Sequence, residues 1–252
     1  MKEDVSNYPK SAESFGAKLK RKAVSLITSE DYNTTLSYSQ AGEDRIIFFL
    51  FCVIDLKNPT YLDIGANKPK LLSNTYFFYY SGSRGVCIEP NPPLWEKFKE
   101  ARPRDITLNV GVGSQTEKSL PFYCFGPEAD GLSTFSEEQA RQSEELHHHR
   151  IKEILQVPVV TINSLLEKYF SSPPSLLSID VEGLDQQILE SLDFERHAPI
   201  VICAETHFRE GNKLVKDQAF INFVKSKGYM VFADTHINTI FVKAEVYAQH
   251  FG

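Results

Sequence analysis

The sequence has no excess of basic charge: 27 Lys plus Arg stand against 33 Asp plus Glu, a formal net charge of −6. Nucleic-acid binders carry a basic footprint, so a polynucleotide is not the expected partner. Long apolar runs are also missing. The longest, Ile46 to Ile54, has nine residues, about half of what spans a bilayer, so no transmembrane segment is expected. The opening MKEDVSNYPK is polar where a secretory signal needs an apolar stretch. Only four cysteines occur (Cys52, Cys87, Cys124 and Cys203), far apart and with no C-x-x-C pair. Neither a clustered zinc site nor the disulfide framework of a small secreted domain fits. These absences point to a soluble, cytoplasmic chain. What is present, 252 residues of which 42% are hydrophobic, suffices for one good-sized core.

Internal repeats and low-complexity tracts are absent too. Residues 11–28 place Phe15, Leu19, Ala23 and Leu26 or Ile27 at helical spacing, close to Lys18, Lys20, Arg21 and Lys22. The apolar face is narrow and Gly16 interrupts it. That fits a helix docked on the domain or on a second copy in a homo-oligomer better than one lying on a membrane surface. The chain thus divides into an N-terminal helical extension, 1–36, and a domain, 37–252, carrying an insertion at about 113–156.

After SQAGED (Ser39–Asp44) and a helix-like run to Ile54, short β-branched runs alternate with helical stretches, the pattern of βαβ units. The expected parallel strands are Thr60–Ile64, Gly85–Glu89, Ile106–Val112, Leu176–Asp180 and Ile200–Glu205. Helices are expected over Leu71–Tyr80, from Pro92 and Pro93, around Leu184, Ile188 and Leu189, and over Lys216–Lys227. Ser119–Tyr123 and Val157–Ile162 read as further strands, and Ser164–Tyr169 as a short helix. Within the insertion, Thr134 and Glu137 fit a capping box. Tyr229–Ala233 and Thr239–Lys243, joined by DTHIN, read as an antiparallel hairpin. That terminal hairpin separates the order from an ordinary dinucleotide fold.

The chemistry concentrates at strand ends. Asp63 and Gly65 close the first strand, but no further glycine follows until Gly82. A pyrophosphate site wants Gly-x-Gly-x-x-Gly, so nicotinamide chemistry is disfavoured. An acidic residue there suits a ligand with positive charge, or caps the next helix. Glu89 ends the second strand, 26 positions on, where a carboxylate can accept both hydroxyls of a ribose. Together the two acids favour a nucleoside ligand. Asp180 and Glu182 lie two apart after the fourth strand, and Glu205 and His207 repeat that spacing after the fifth. Neighbouring strands are expected to gather these four at one sheet edge as acid–base residues. Asn91-Pro-Pro-Leu94 reads as helix-start chemistry, and His147-His148-His149 as part of a solvated helix, because consecutive helical positions face different ways. Asp234-Thr-His236 is a further candidate substrate contact.

The motifs DIGAN (Asp63–Asn67), SNTYFFY (Ser73–Tyr79), GVCIEPNP (Gly85–Pro92) and LSIDVEGLD (Leu177–Asp185), in this order, resemble the FkbM-type methyltransferases. SQAGED, CAETH and the Gly228-Tyr229 pair match as well, so the resemblance covers about residues 37–243. It departs at Lys68-Pro69, where many relatives have a second glycine. The resemblance implies an α/β, Rossmann-like class I methyltransferase fold: a mainly parallel seven-stranded sheet with helices on both faces. It further implies S-adenosyl-L-methionine held by Asp63, Gly65, Asn67 and Glu89, with Ser39, Gln40 and Asp44 covering the site. Ser73 and Asp180 complete the candidate cofactor set.

The expected activity is methyl transfer to a hydroxyl of a small molecule or saccharide. The cofactor supplies an activated carbon; the protein aligns the acceptor and removes its proton. Asp180, Glu182, Glu205 or His207 is the expected base. A divalent ion, Mg²⁺ or Mn²⁺, on Asp180, Glu182 and Glu205 is the alternative way to lower the hydroxyl pKa. Phe122, Tyr123, Phe125 and Phe135 are candidate acceptor-pocket walls or core. The rival reading is a non-catalytic binding protein on the same fold.

Overall fold

Strands covered on both faces need near-continuous apolar sequence, and the five parallel runs supply it. The computed structural model describes residues 36–210 and 213–251; the helix expected over 11–28 lies outside them. The chain enters through helix α1 (Glu43–Val53), then β1 (Tyr61–Ile64), α2 (Tyr76–Tyr80), β2 (Gly85–Ile88), α3 (Pro92–Ala101) and β3 (Ile106–Leu108). The middle comprises β4 (Gly111–Gly113), β5 (Glu117–Cys124), α4 (Glu137–His147), β6 (Glu153–Thr161) and α5 (Ile162–Tyr169). The remainder runs β7 (Leu176–Ile179), α6 (Asp185–Glu190), α7 (Phe194–His197), β8 (Val201–Glu205), β9 (His207–Glu210), β10 (Lys213–Lys216), α8 (Gln218–Ser226), β11 (Tyr229–Asp234), β12 (Asn238–Lys243) and α9 (Ala244–Phe251). No described helix is long and apolar enough to cross a membrane.

The main sheet has seven strands in the order β11-β12-β8-β7-β1-β2-β3, with β12 antiparallel to both neighbours and the other pairings parallel. The expected seven-stranded α/β architecture is therefore present. Alternation along β1 divides the core. Leu62 and Ile64 join Ile188, Phe220 and Leu165 on one side, whereas Tyr61 joins Phe51, Phe78 and Phe98 on the other. Asp63 lies two residues from Tyr61 and so shares the face toward α1, α2 and α3. The four thiols are free, three of them buried.

Local chemistry corrects several boundaries. The helix expected from Leu71 shrinks to Tyr76–Tyr80 because Leu72 takes a φ of 58° and Ser73 Oγ accepts the N–H of Tyr76 at 3.0 Å. The strand expected over 106–112 splits. Asn109 donates to the carbonyls of Glu89 and Pro90, and the chain beyond it leaves the main sheet. Gly111–Gly113 then pairs with β6 in a separate three-stranded sheet, β4-β6-β5. Ser136, not Thr134, caps α4, accepting from the Gln139 N–H at 3.2 Å. Thr134 instead donates to the Glu182 carbonyl at 2.9 Å, tying the insertion to the main sheet. The hairpin β9–β10 and helix α9 had no clear periodic signal. Asn91 and Pro92 do open α3, as their sequence suggests.

Candidate active site

Three crossover loops meet at the carboxyl ends of β1, β2 and β7. The N–H groups of Gly65 and Ala66 donate to the Ile88 carbonyl at 3.1 and 3.0 Å, and that of Asp180 to the Ile64 carbonyl at 3.0 Å. Gly65 has a φ of 77°, and a Cβ there would lie 1.8 Å from the Asp180 carbonyl oxygen. No side chain fits between the two loops. Gly65→Ala should therefore cost about 3 kcal/mol or more and lower Tm by about 10 °C, read by calorimetry. An unchanged Tm would show that these loops can separate.

Above this junction lies a cavity of about 410 Å³, lined by the β1, β2 and β7 loops below and the insertion above. Its volume is in the range of a small-molecule site. Glu89 stands on its wall, buried, and each carboxylate oxygen accepts one backbone N–H: Oε2 from Asn67 at 2.7 Å and Oε1 from Asn91 at 2.8 Å. Burial outweighs these bonds and pushes its carboxyl up to about 8. Asn67 sits at φ 49°, which presents its N–H to Glu89. Lys68 bridges to Asp130 of the insertion at 2.9 Å. Asp63 also lines the cavity; burial raises its pKa while Arg102 and Thr75 pull it down.

Of the candidate cofactor residues, Gln40, Asp63, Gly65, Asn67, Ser73, Glu89 and Asp180 line this cavity, and Asp44 does not. Asp44 is buried beneath it, taking hydrogen bonds from Ser37 Oγ at 2.6 Å, the Tyr38 N–H at 2.7 Å and Ser39 Oγ at 3.0 Å. The next acid, Glu43, accepts from Thr235 Oγ1 at 2.7 Å and Asn238 Nδ2 at 3.0 Å. SQAGED is thus a clamp between the entry loop and the terminal hairpin, which leaves Gln40 on the cavity. Asp234 and Thr235 serve the same hairpin, Asp234 through an ion pair with Lys216 at 3.0 Å, and none of Asp234–His236 lines the cavity.

The four acid–base candidates divide. Asp180 and Glu182 line the cavity; Glu205 and His207 do not, and pair with each other at 3.1 Å. The metal expectation at Asp180, Glu182 and Glu205 finds no support in this geometry. Glu205 is turned to His207, and no group of three His, Cys, Asp or Glu side chains among the described residues could hold an ion. Electrostatically the acids still feel one another. Burial raises Asp180 to about 6, with the Asp63 and Glu43 carboxylates adding to it. Asp185 rises to about 7 by burial and the nearby Asp180. Glu205 rises to about 10 by burial and the charges of Asp180, Glu182 and Asp185.

These acids and Glu89 hold their protons more tightly folded than unfolded. Folding therefore takes up protons from about pH 4.5 to pH 8, and stability falls as pH rises through that window. The ligand-free protein should melt about 5 °C lower at pH 8.5 than at pH 6. A thermal scan in the two buffers tests this, and a Tm that holds or rises contradicts it.

The insertion supplies the roof. Phe122 and Phe135 line the cavity, 4.7 Å apart between ring centroids, whereas Tyr123 and Phe125 pack with Ala129 and Ala140 in a small core within the insertion. His147 and His149 line it as well, which the sequence reading did not anticipate. Their helix ends at His147, and His148 takes a left-handed φ of 56°. That reversal brings alternate histidines to one wall. No glycine or asparagine marks the stop, so the sequence carried no signal for it.

The family model for the methyltransferase FkbM domain matches residues 63–231. No curated protein matches the chain. Among solved structures, the methyltransferase FkbM of Methylobacillus flagellatus KT is 12% identical with a TM-score of 0.45, over 92% of this chain. This chain spans 55% of that protein's length. A TehB-like SAM-dependent methyltransferase of Corynebacterium glutamicum is 11% identical with a TM-score of 0.42, over 90% of this chain and 99% of that one. The O-methyltransferase of Bacillus cereus, solved with SAH, is 12% identical with a TM-score of 0.40, over 93% and 90%. With the family's domain model matched over two thirds of this chain, from Asp63 of β1 into β11, the chain belongs to the FkbM methyltransferase family.

Proposed function

We propose that this protein is an S-adenosylmethionine-dependent O-methyltransferase acting on a hydroxyl of a small molecule or sugar. The observation that carries the reading is the cavity whose walls include Asp63 and Glu89 at the ends of adjacent strands β1 and β2. Its donor set fits the cofactor. Asp63 offers negative charge to a cationic sulfonium and ammonium, and Glu89 offers oxygen acceptors to a ribose. Gln40, Gly65, Asn67, Ser73 and Asp180 complete the binding set. When bound, the cofactor supplies a methyl carbon made electrophilic by its sulfonium.

The remaining work falls to the protein. Phe122 and Phe135, from the insertion, offer apolar surface against an acceptor. Asp180, on the wall with a carboxyl at about 6, is ionised at neutral pH yet basic enough to take a hydroxyl proton. Glu182 stands on the same wall, and the Asp63 and Glu43 carboxylates add negative charge that favours that proton's uptake. The preference for sugars rests on family resemblance alone.

Calorimetry with S-adenosylmethionine and S-adenosylhomocysteine tests the binding half, and a product-mass screen against saccharides tests the transfer. Saturable binding and a product one methyl heavier are expected. Binding without any methylated product would favour the non-catalytic rival, and no binding would end the proposal.

A further inference from the structure

Asp63, 5% exposed, is connected to the protein interior away from the cavity. Thr75 Oγ1 donates to its Oδ2 at 2.5 Å, and the same Thr75 oxygen accepts from Arg102 Nη2 at 3.0 Å. Arg102 follows α3, is 0% exposed and does not line the cavity. Its Nε donates to Asp105 Oδ2 at 2.8 Å, and Nη1 reaches Ser73 Oγ at 3.5 Å. The rings of Tyr61, Tyr79 and Phe98 lie 5.3, 5.4 and 5.5 Å from the guanidinium carbon. Asp105 is held in turn by the Tyr61 hydroxyl and the Gly85 N–H, at 2.8 and 2.9 Å.

A buried Arg–Asp pair is a weak device for stability, since apolar residues of similar volume often serve as well. What this pair adds is direction. A threonine hydroxyl has one proton. Arg102 has only N–H groups to offer and occupies the hydroxyl oxygen as donor, so the hydroxyl proton goes to Asp63. Each bond in such a chain polarises the next, and an ionised acceptor ends it best.

We infer that Arg102 is a positioning residue for cofactor recognition: acting through Thr75, it keeps the Asp63 carboxylate anionic and fixed on the cavity wall without touching a ligand. This deepens the function proposed above and rests on it, since the matching ligand is a nucleoside carrying a cationic amino-acid arm. The charged and titratable groups around Asp63 include Glu43 at the start of α1, Arg102 and Asp105 beyond α3, Cys87 and Glu89 on β2 and its end, Asp180 after β7, and Cys203 on β8. Arg102 is the cation that pulls the Asp63 pKa down. Without it, or without the Thr75 hydroxyl, burial and the neighbouring acids prevail, and Asp63 takes up a proton at higher pH than in the wild type.

The test compares S-adenosylmethionine with 5′-methylthioadenosine, which has the same nucleoside but neither sulfonium nor ammonium. Both carry the ribose, so titration of Glu89 enters both profiles and cancels in their difference. Thr75→Val should weaken S-adenosylmethionine about tenfold at pH 6 and move the acid limb of the difference up by about one pH unit. The affinity for 5′-methylthioadenosine should stay within about twofold. Arg102→Met combined with Asp105→Asn, which leaves no orphaned charge, should shift the limb the same way, and Arg102→Lys should restore part of it. Coincident pH profiles for wild type and Thr75→Val overturn the inference. So does a parallel loss of both ligands, which reports damaged packing. If wild type binds neither ligand, the cofactor reading falls, yet carboxyl-carbon NMR of Asp63 in the free protein, assigned with Asp63→Asn, still decides. A higher titration midpoint in Thr75→Val supports the relay; an unchanged one overturns it.

Discussion

Glu89→Gln should lower affinity for S-adenosylmethionine about 100-fold, with the fold retained. Two effects combine. The Asn67 and Asn91 N–H groups each donate to one carboxylate oxygen. A glutamine amide can satisfy only one of them and turns its own NH₂ against the other. The misdirected backbone N–H shifts the Asn67 loop on the cavity wall, a reorganisation that binding must reverse, and the charge-assisted bond to a ribose hydroxyl, about 1.5–3 kcal/mol, is weakened. At 1.4 kcal/mol per factor of ten, their sum is on the order of two decades. The variant should also flatten a pH dependence. With its carboxyl near 8, Glu89 in the wild type becomes a better acceptor for ribose hydroxyls as pH rises through 8, so wild-type affinity strengthens there. A glutamine does not titrate. Calorimetry at pH 6.5 and pH 8.5 reads both effects, and equal affinities for variant and wild type would show that Glu89 serves the loop and not the ligand.

Why Glu89 was legible in the sequence and other residues were not follows from the range of the interactions. β1, β2, β7 and β8 are runs of apolar residues ended by an acid, a pattern that needs no knowledge of the rest of the chain. Position at the carboxyl end of a parallel strand is then enough to put Asp63, Glu89 and Asp180 beside a crevice. The i, i+2 spacing does bring Glu205 and His207 together, but as a pair of their own off the cavity: His207 begins β9, which pairs with β10. The resemblance of SQAGED to the family's motif suggests that Asp44 covers the site, but it instead joins Glu43 in holding the chain together. Their partners, the loop 37–39 and the hairpin residues Thr235 and Asn238, lie as far as 195 positions away, and no local pattern announces them. The same holds for Arg102, which reads in sequence as a basic residue at a helix end and is instead wholly interior. Local periodicity sets the sheet; long-range polar pairing sets the site, and single-sequence patterning sees only the first.

Asp180 separates activity from stability most sharply. Asp180→Asn should reduce turnover about 10²- to 10⁴-fold, the usual worth of a positioned general base. Affinity for S-adenosylhomocysteine, which lacks the sulfonium, should stay within about fivefold. The protein should meanwhile become more stable at pH 8, because asparagine removes a half-buried charge that Asp63 and Glu43 oppose. Glu205 adds to this gain: the Asp180 charge is one of the influences that raise its pKa, so the variant lets it ionise at lower cost. Turnover by product mass, binding by calorimetry and Tm at pH 8 should therefore move down, stay level and move up, respectively. Loss of all three would mark Asp180 as structural, through its backbone contact to Ile64 and the close approach to Gly65. Full turnover with a raised Tm would remove Asp180 as the base and leave the proton to Glu182 or to the imidazoles of His147 and His149 on the same cavity.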